Sequence, residues 1–180
     1  MRPFLILLLS LIFIAADQAS KWYVMEHVLR PHAEGEAAAP PPDFLAWYQS
    51  ETKTLAPTEL AVASHFNFVS VWNKGISFGM FNQQSDFGPM ILIVLALVIS
   101  LFFVAWLFYG PDGMQEMGIL LVIGGALGNV IDRARYGAVF DFLDFHAFDY
   151  HWPAFNIADS GIVIGVGVLI LHSFLYSNKY

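Results

Sequence analysis

The sequence predicts a mainly α-helical membrane protein, with four transmembrane helices and, at one membrane face, a small β-sheet and a short interfacial helix. Three observations lead there. The chain is 57% hydrophobic and only 13% charged over 180 residues. Soluble domains run at about a quarter charged, so this chain has too little polar surface to cover a globule in water. Four stretches are apolar for about 20 residues each, enough to cross hydrocarbon as a helix. The ionisable residues near these stretches gather at ends that fall on one side of a four-span layout.

The first stretch is 4–16, extended through DQASKWYVM at 17–25. Arg2, the apolar run to Ile14 and the small residues Ala15, Ala16 and Ala19 also fit a cleavable secretion signal. The three later stretches require a membrane in either case. Residues 87–109 form the clearest span, with no charge inside it; 114–131 is rich in glycine, and 157–176 is the fourth. Trp22, Tyr23, Trp106, Tyr109 and Tyr176 lie near the ends of the spans, where amphipathic rings favour the headgroup region.

The connections differ in character. PHAEGEAAAPPPD at 31–43 has the Pro/Ala/Glu composition of a flexible linker. Residues 43–66 follow as a segment with a short interfacial helix, Trp47 and Tyr48 meeting the membrane surface. FNFVSVW at 66–72 alternates as a strand does and runs into NKGISFG at 73–79, a turn signal. AVFDFLDF at 138–145 is a second strand-like run, expected to pair with 66–72 in a small sheet on the membrane. YGPDGMQE at 109–116 is a short turn. The whole chain, 1–180, reads as one membrane domain with a long insertion at about 31–65.

The charges then fall into place. Asp17 and Lys21 end the first span, Asp132 and Arg133 end the third, Asp159 opens the fourth, and Asp141 lies in the loop between those two. All of them converge on one face, and charges in or beside a span mark function by default. Bland readings compete for some. Arg135 and Lys179 are long enough to snorkel to the headgroups, and Asp17 with Lys21 fits a helix-anchoring i,i+4 pair. Asp159 is short and cannot snorkel far. Gly124 and Gly128 give the small-xxx-small pattern of close helix contact, which would hold Asn129, Asp132 and Arg133 in place. Basic residues do not orient the chain: Arg2 and Lys179 lie on one side, Arg30, Lys53, Lys74, Arg133 and Arg135 on the other.

Several chemistries are excluded. A net charge of −7 argues against a nucleic-acid partner. The absence of cysteine removes disulfides, thiolate metal sites and cysteine nucleophiles. There is no GxSxG and no HExxH. Asp141, Asp144, His146, Asp149 and His151 could be read as a metal cluster, but strand alternation scatters them to both faces. A pair of carboxylates remains. Two close carboxyl groups share one proton, so one can take a proton from attacking water while the other donates. In a strand Asp141 points with Val139 and Leu143, and Asp144 points with Phe140 and Phe142, so only one of the two faces Asp159.

DQASK (17–21), NKGISFG (73–79), GGALGNVIDR (124–133), VFDF (139–142) and FNIAD (155–159) together resemble, in order, the motif set of lipoprotein signal peptidase, or signal peptidase II. The resemblance implies four spans with both termini cytoplasmic, and a small extracytoplasmic sheet beside the site. It implies a bacterial inner-membrane enzyme that needs no metal or cofactor, and the chain is expected to act as a monomer. Its substrate would be a lipid-modified prolipoprotein held in membrane lipid and cleaved before a diacylglyceryl-modified cysteine. By motif position the catalytic pair falls on Asp141 and Asp159. Asp17, Lys21, Asn73, Gly75, Asn129, Asp132, Arg133, Asn156 and Ala158 match the family's other characteristic positions. Two departures stand out: the connection at 31–63 is longer than usual, and Phe140 replaces a common valine. Asp159, where the helix dipole favours ionisation, is expected to start as the base, and Asp141, among apolar neighbours, as the acid. Phe78, Met80 and Phe81 are expected to close over a lateral substrate groove. The rivals are a proton-coupled carrier using Asp17, Lys21 and Asp159, which would show midplane carboxylates and repeats, and a non-enzymatic scaffold, which leaves the clustered carboxylates without a cause.

Overall fold

The computed structural model describes residues 2–50, 54–75 and 87–176. In chain order it comprises α1 (Arg2–Tyr23), a π-helical segment (Val24–Leu29), α2 (Arg30–Glu34), α3 (Phe44–Gln49), β1 (Glu59–Ala63), β2 (Phe66–Asn73), α4 (Phe87–Leu107), α5 (Gly113–Tyr136), β3 (Val139–Ala147), β4 (Tyr150–His151) and α6 (Ile157–Tyr176). Four helices, those beginning at α1, α4, α5 and α6, are long and apolar enough to cross a membrane. The sheet is antiparallel in the order β1-β2-β3-β4. The expected pairing of 66–72 with 138–145 is present as β2 on β3, with Asn73 opposite Val139 and Val71 opposite Asp141.

Local chemistry fixes the ends of the central helix. Asp112 caps α5 by accepting from the backbone of Met114 and Gln115, while the Gln115 side chain accepts from the Asp112 N–H. This reciprocal capping box satisfies donors that a helix start leaves free. At the other end Gly137 adopts φ 68°, a left-handed conformation that costs glycine little, and its N–H returns to the Arg133 carbonyl. The turn delivers the chain directly into β3.

Helix contact in the bundle is close because side chains are missing where backbones meet. A Cβ on Gly128 would lie 2.9 Å from Asp17 Oδ2 and 3.3 Å from Ala158 Cβ, and one on Gly124 would lie 2.8 Å from the Phe13 ring. The small-residue spacing seen in the sequence therefore seats α5 on α1 and α6. Gly125 is tighter still, since its Cβ would run into the Ala158 carbonyl.

Some sequence expectations need correction. Residues 31–37 are not part of a linker: the first helix continues through the π segment to Glu34 and ends in a 3-10 turn to Ala37. Two physical causes are visible. Arg30 bridges Glu26 and Glu34 at i,i+4 spacing, and the wider π turn precedes Pro31, whose missing N–H would interrupt an α-helix. The 33 continuous helical residues run to about 50 Å, well beyond the ~30 Å hydrocarbon core. Trp47 does not meet a membrane surface either. It is 3% exposed and packs with Met25, Leu29, Leu55, Phe140 and Phe142. Arg135, expected to snorkel, instead lies over the Trp47 and Tyr48 rings and donates to the Trp47 carbonyl at 3.0 Å, fastening α3 to the end of α5. Residues 59–63, expected within the interfacial segment, form the edge strand β1. Lys53, Phe78, Met80, Phe81, Lys179 and most of the 73–79 turn lie outside the described residues.

Candidate active site

Five elements meet where α1 and α5 end and α6 begins. Each contributes a polar side chain for a local reason. Asn73 ends β2 and accepts from the Gly75 N–H at 2.8 Å, a tight turn in which Gly75 takes φ 74°. Asn156 and Asp159 cap α6 reciprocally: the Asp159 N–H donates to Asn156 Oδ1 at 2.9 Å, and the Asn156 N–H donates to Asp159 Oδ2 at 3.3 Å. The FNIAD motif is thus a capping box as well as a site motif. Asn129, Asp132 and Arg133 come from the last turns of α5, and Asp17, Gln18 and Lys21 from the end of α1.

Asp141 and Asp159 are linked through a chain of asparagine side chains. Asn156 Nδ2 donates to Asp141 Oδ1 at 2.7 Å, and Asn73 Nδ2 donates to Asp141 Oδ2 at 3.0 Å. Asn129 Nδ2 donates to Asp159 Oδ1 at 2.7 Å. Asn129 Oδ1 in turn accepts from Asn156 Nδ2 at 3.3 Å, closing the circuit between the two carboxylates. Asp141 is 1% exposed. Its pKa is pushed up to about 7, first by burial and then by the nearby charge of Asp159. The amides of Asn73 and Asn156 and the charge of Lys21 pull the other way. Asp159 is only half buried and faces a cavity.

That cavity has a volume of about 270 Å³ and lies between α4, α5 and α6. Asp159, Asn129 and Arg133 form its polar end, and the apolar remainder includes Leu92, Leu95, Ile99, Val122, Ala126 and Ile162. Arg133 Nε is buried without a hydrogen-bond partner among the described residues. Its guanidinium lies within electrostatic reach of Asp159, Asp141 and Asp132.

A buried ionic group underlies the pair. Lys21 Nζ lies 2.8 Å from Asp17 Oδ2 and 2.8 Å from Asp132 Oδ2. Gln18, which sequence reasoning passed over, donates to Asp132 Oδ1 at 2.9 Å and is 3% exposed. Its signal was available: an amide one residue from Asp17, inside a motif already singled out. The sequence-predicted residues Asp17, Lys21, Asn73, Gly75, Asn129, Asp132, Arg133, Asp141, Asn156, Ala158 and Asp159 are thus brought to one end of the bundle. Asp144 is not. It is held farther along β3 by Asn67 at 2.9 Å and by His151. No group of three His, Asp or Glu side chains among the described residues converges as a metal site.

Four membrane-spanning helices and a carboxylate pair at one bundle end define the class: a polytopic membrane protein of the aspartic peptidase type. Comparison with known proteins sharpens this. The sequence profile described as "Signal peptidase (SPase) II" matches residues 9–175. The chain is 44% identical over 112 residues to the lipoprotein signal peptidase of Methylobacterium radiotolerans, covering 62% of this chain and 66% of that one. It is 45% identical over 113 residues to that of Syntrophotalea carbinolica (61% and 69% covered), and 38% identical over 139 residues to that of Alteromonas mediterranea (76% and 71% covered). The fold is that of a bacterial membrane enzyme solved by the in meso method at 2.3 Å, with TM-score 0.69, 23% identity and coverage of 97% of this chain and 90% of the other. The chain belongs to the signal peptidase II family, aspartic peptidases that remove the signal peptides of prolipoproteins.

Proposed function

We propose that Asp141 and Asp159 are the catalytic pair, and that this chain cleaves diacylglyceryl-modified prolipoproteins before the lipidated cysteine. The observation that carries the reading is the placement of two carboxylates, linked through Asn129 and Asn156, at the polar end of an apolar groove between helices. Asp159, half exposed to the groove, takes the proton from the attacking water. Asp141, buried and with its pKa raised to about 7, holds the shared proton, donates a hydrogen bond to the developing oxyanion and later protonates the leaving amine. Arg133 offers an unpaired donor to a substrate carbonyl. The acyl chains stay in the bilayer and reach the groove sideways past Leu92, Leu95 and Ile99, so the scissile bond arrives at the helix ends without leaving the membrane surface. The chain works as a monomer in the bacterial inner membrane, with this bundle end at the extracytoplasmic face.

The test is cleavage by purified Asp141→Asn, Asp159→Asn and Asp144→Asn variants, with lipid-modified and unmodified precursors. Asparagine keeps the size but cannot exchange the proton. The first two variants should lose about 10²- to 10⁴-fold in turnover while still inserting. Asp144→Asn should retain measurable activity, and unmodified precursor should be a poor substrate. Full turnover in either Asp141→Asn or Asp159→Asn would sink the assignment.

A further inference from the structure

We infer that Lys21 sets the separation of Asp141 and Asp159, acting on both as a positioning residue through two matched bridges; this rests on the carboxylate-pair reading above. One bridge runs from Lys21 Nζ to Asp17 Oδ2 at 2.8 Å, and from Asp17 Oδ1 to the backbone N–H of Ala158 at 2.9 Å. Ala158 is the residue before Asp159. The other runs from Lys21 Nζ to Asp132 Oδ2 at 2.8 Å, and from the same oxygen to the backbone N–H of Phe140 at 3.1 Å. Phe140 is the residue before Asp141. Each catalytic carboxylate is therefore placed by a supporting carboxylate that grips the preceding peptide, and one ammonium joins the two supports.

Lys21 makes a third contact, to Asn129 Oδ1 at 3.4 Å. An ammonium has three donors and no acceptor, so the three contacts use all of them. Because Asn129 Oδ1 faces Lys21, its Nδ2 must face Asp159, which is the bond observed. A lysine that merely anchored its own helix would need only Asp17, its i,i+4 partner. This one also reaches α5 and, through Asp17, α6.

The arrangement is stiff because it is dry and complete. Lys21 and Asp132 are 1% exposed and Asp17 is 0%. Every oxygen of both supports has a donor: Ala158 and Lys21 on Asp17, Gln18, Lys21 and Phe140 on Asp132. Shifting the ammonium by an ångström would leave a buried carboxylate unpaired, which in low dielectric is costly.

Lys21→Arg keeps the charge but replaces a compact three-donor head with a planar fork. It should lower kcat by about 100-fold, the scale of an ångström misplacement, with KM for the lipid-modified precursor little changed. The decisive readout is the pH profile of kcat, whose two limbs report the coupled carboxylates and whose spacing depends on their separation. Of the other groups around the pair, Asn73, Asn156 and Arg133 make no bond to Lys21, whereas Asn129, which does, moves with it and carries part of the effect on Asp159. Since the cation is retained, altered limb spacing reports a change of position around the pair rather than a lost charge. Asp17→Asn and Asp132→Asn, which keep Lys21 itself, separate movement of the carboxylates from movement of the ammonium that acts on Asp141. Wild-type kcat in folded Lys21→Arg would overturn the inference, and so would a reduced rate with unchanged limb spacing, the mark of a purely structural role. If Lys21→Arg does not fold, Asp17→Asn and Asp132→Asn each loosen one bridge, and unchanged spacing in both overturns it equally. Asp141→Asn and Asp159→Asn in the same assay separate the two claims: activity there defeats the catalytic pair, whereas their inactivity beside a wild-type Lys21→Arg defeats only the positioning role.

Discussion

The two ends of the bundle both carry ion pairs, and they differ in almost every physical respect. At the site end Asp17, Lys21 and Asp132 are out of contact with water, each oxygen and donor assigned. At the opposite end Asp112 pairs with His172, and Arg2 lies 4.0 Å from Glu116, with the Arg2 side chain 76% exposed. Water competes for the second set, so it contributes little to stability. Removing one partner from the first set strands a buried charge and costs about 3–5 kcal/mol. Isolated ion pairs hold helices together weakly at either end; at the site end the burial makes the pairing a constraint on position. Close helix packing, by contrast, is common to both ends: Gly125 and Gly128 bring α5 against Ala158 and Asp17 beside the site, and Gly118 and Gly165 bring α5 against α6 toward the other.

Four substitutions sharpen that contrast, in order of expected effect. Gly125→Val should be the most damaging, because its side chain meets the Ala158 carbonyl and the Ile162 side chain. Overpacking of this kind costs about 1–3 kcal/mol, and displacing the residue before Asp159 should lower turnover by about 100-fold. Thermal midpoint and kcat on the same preparation would check both; an unaffected kcat would mean the site end tolerates movement after all.

Arg133→Lys comes next. It retains the charge at the polar end of the groove and loses the fork, so turnover should fall by about tenfold or more with stability unchanged. Wild-type rates would reduce Arg133 to a headgroup anchor.

Asn73→Ala should move a limb more than a rate. Asn73 donates to Asp141 Oδ2, and donors to a carboxylate favour its ionised form. Without that donor Asp141 keeps its proton to higher pH. If Asp141 is the acid, activity is lost as pH rises through its pKa, so the alkaline limb, set by a pKa of about 7, should move upward. An upward shift of the acidic limb, with the alkaline limb left in place, would reverse the acid and base assignments.

His172→Gln should do least. It breaks the pair with Asp112 at the exposed end, and Asp112 still caps α5 through Met114 and Gln115. Turnover and thermal midpoint should match the parent chain; a marked loss in either would erase the distinction between the two ends.

The sequence by itself determined the spans, because crossing hydrocarbon demands about 20 apolar residues and leaves a signal in composition alone. It also determined the β2–β3 pairing, from alternation in 66–72 and 138–145, and which residues would gather at one bundle end, because DQASK, GGALGNVIDR, VFDF and FNIAD are contiguous motifs. What it could not reveal was which side chain meets which. Asp17 accepts from an N–H 141 positions away and Lys21 bonds an amide 108 positions away, and no local pattern encodes contacts made when separate helices dock. The same reason explains the helix through Glu34 and the burial of Trp47. A proline-containing, alanine-rich stretch has the composition of a linker until Arg30 finds Glu26 and Glu34. A tryptophan reads as interfacial until Arg135 and the cluster around Met25 and Phe140 enclose it. Composition fixed the solvent and motif order the cast of residues, but only the packing of α1, α5 and α6 through the glycines of α5 and α6 decided that one buried lysine would join both halves of the site.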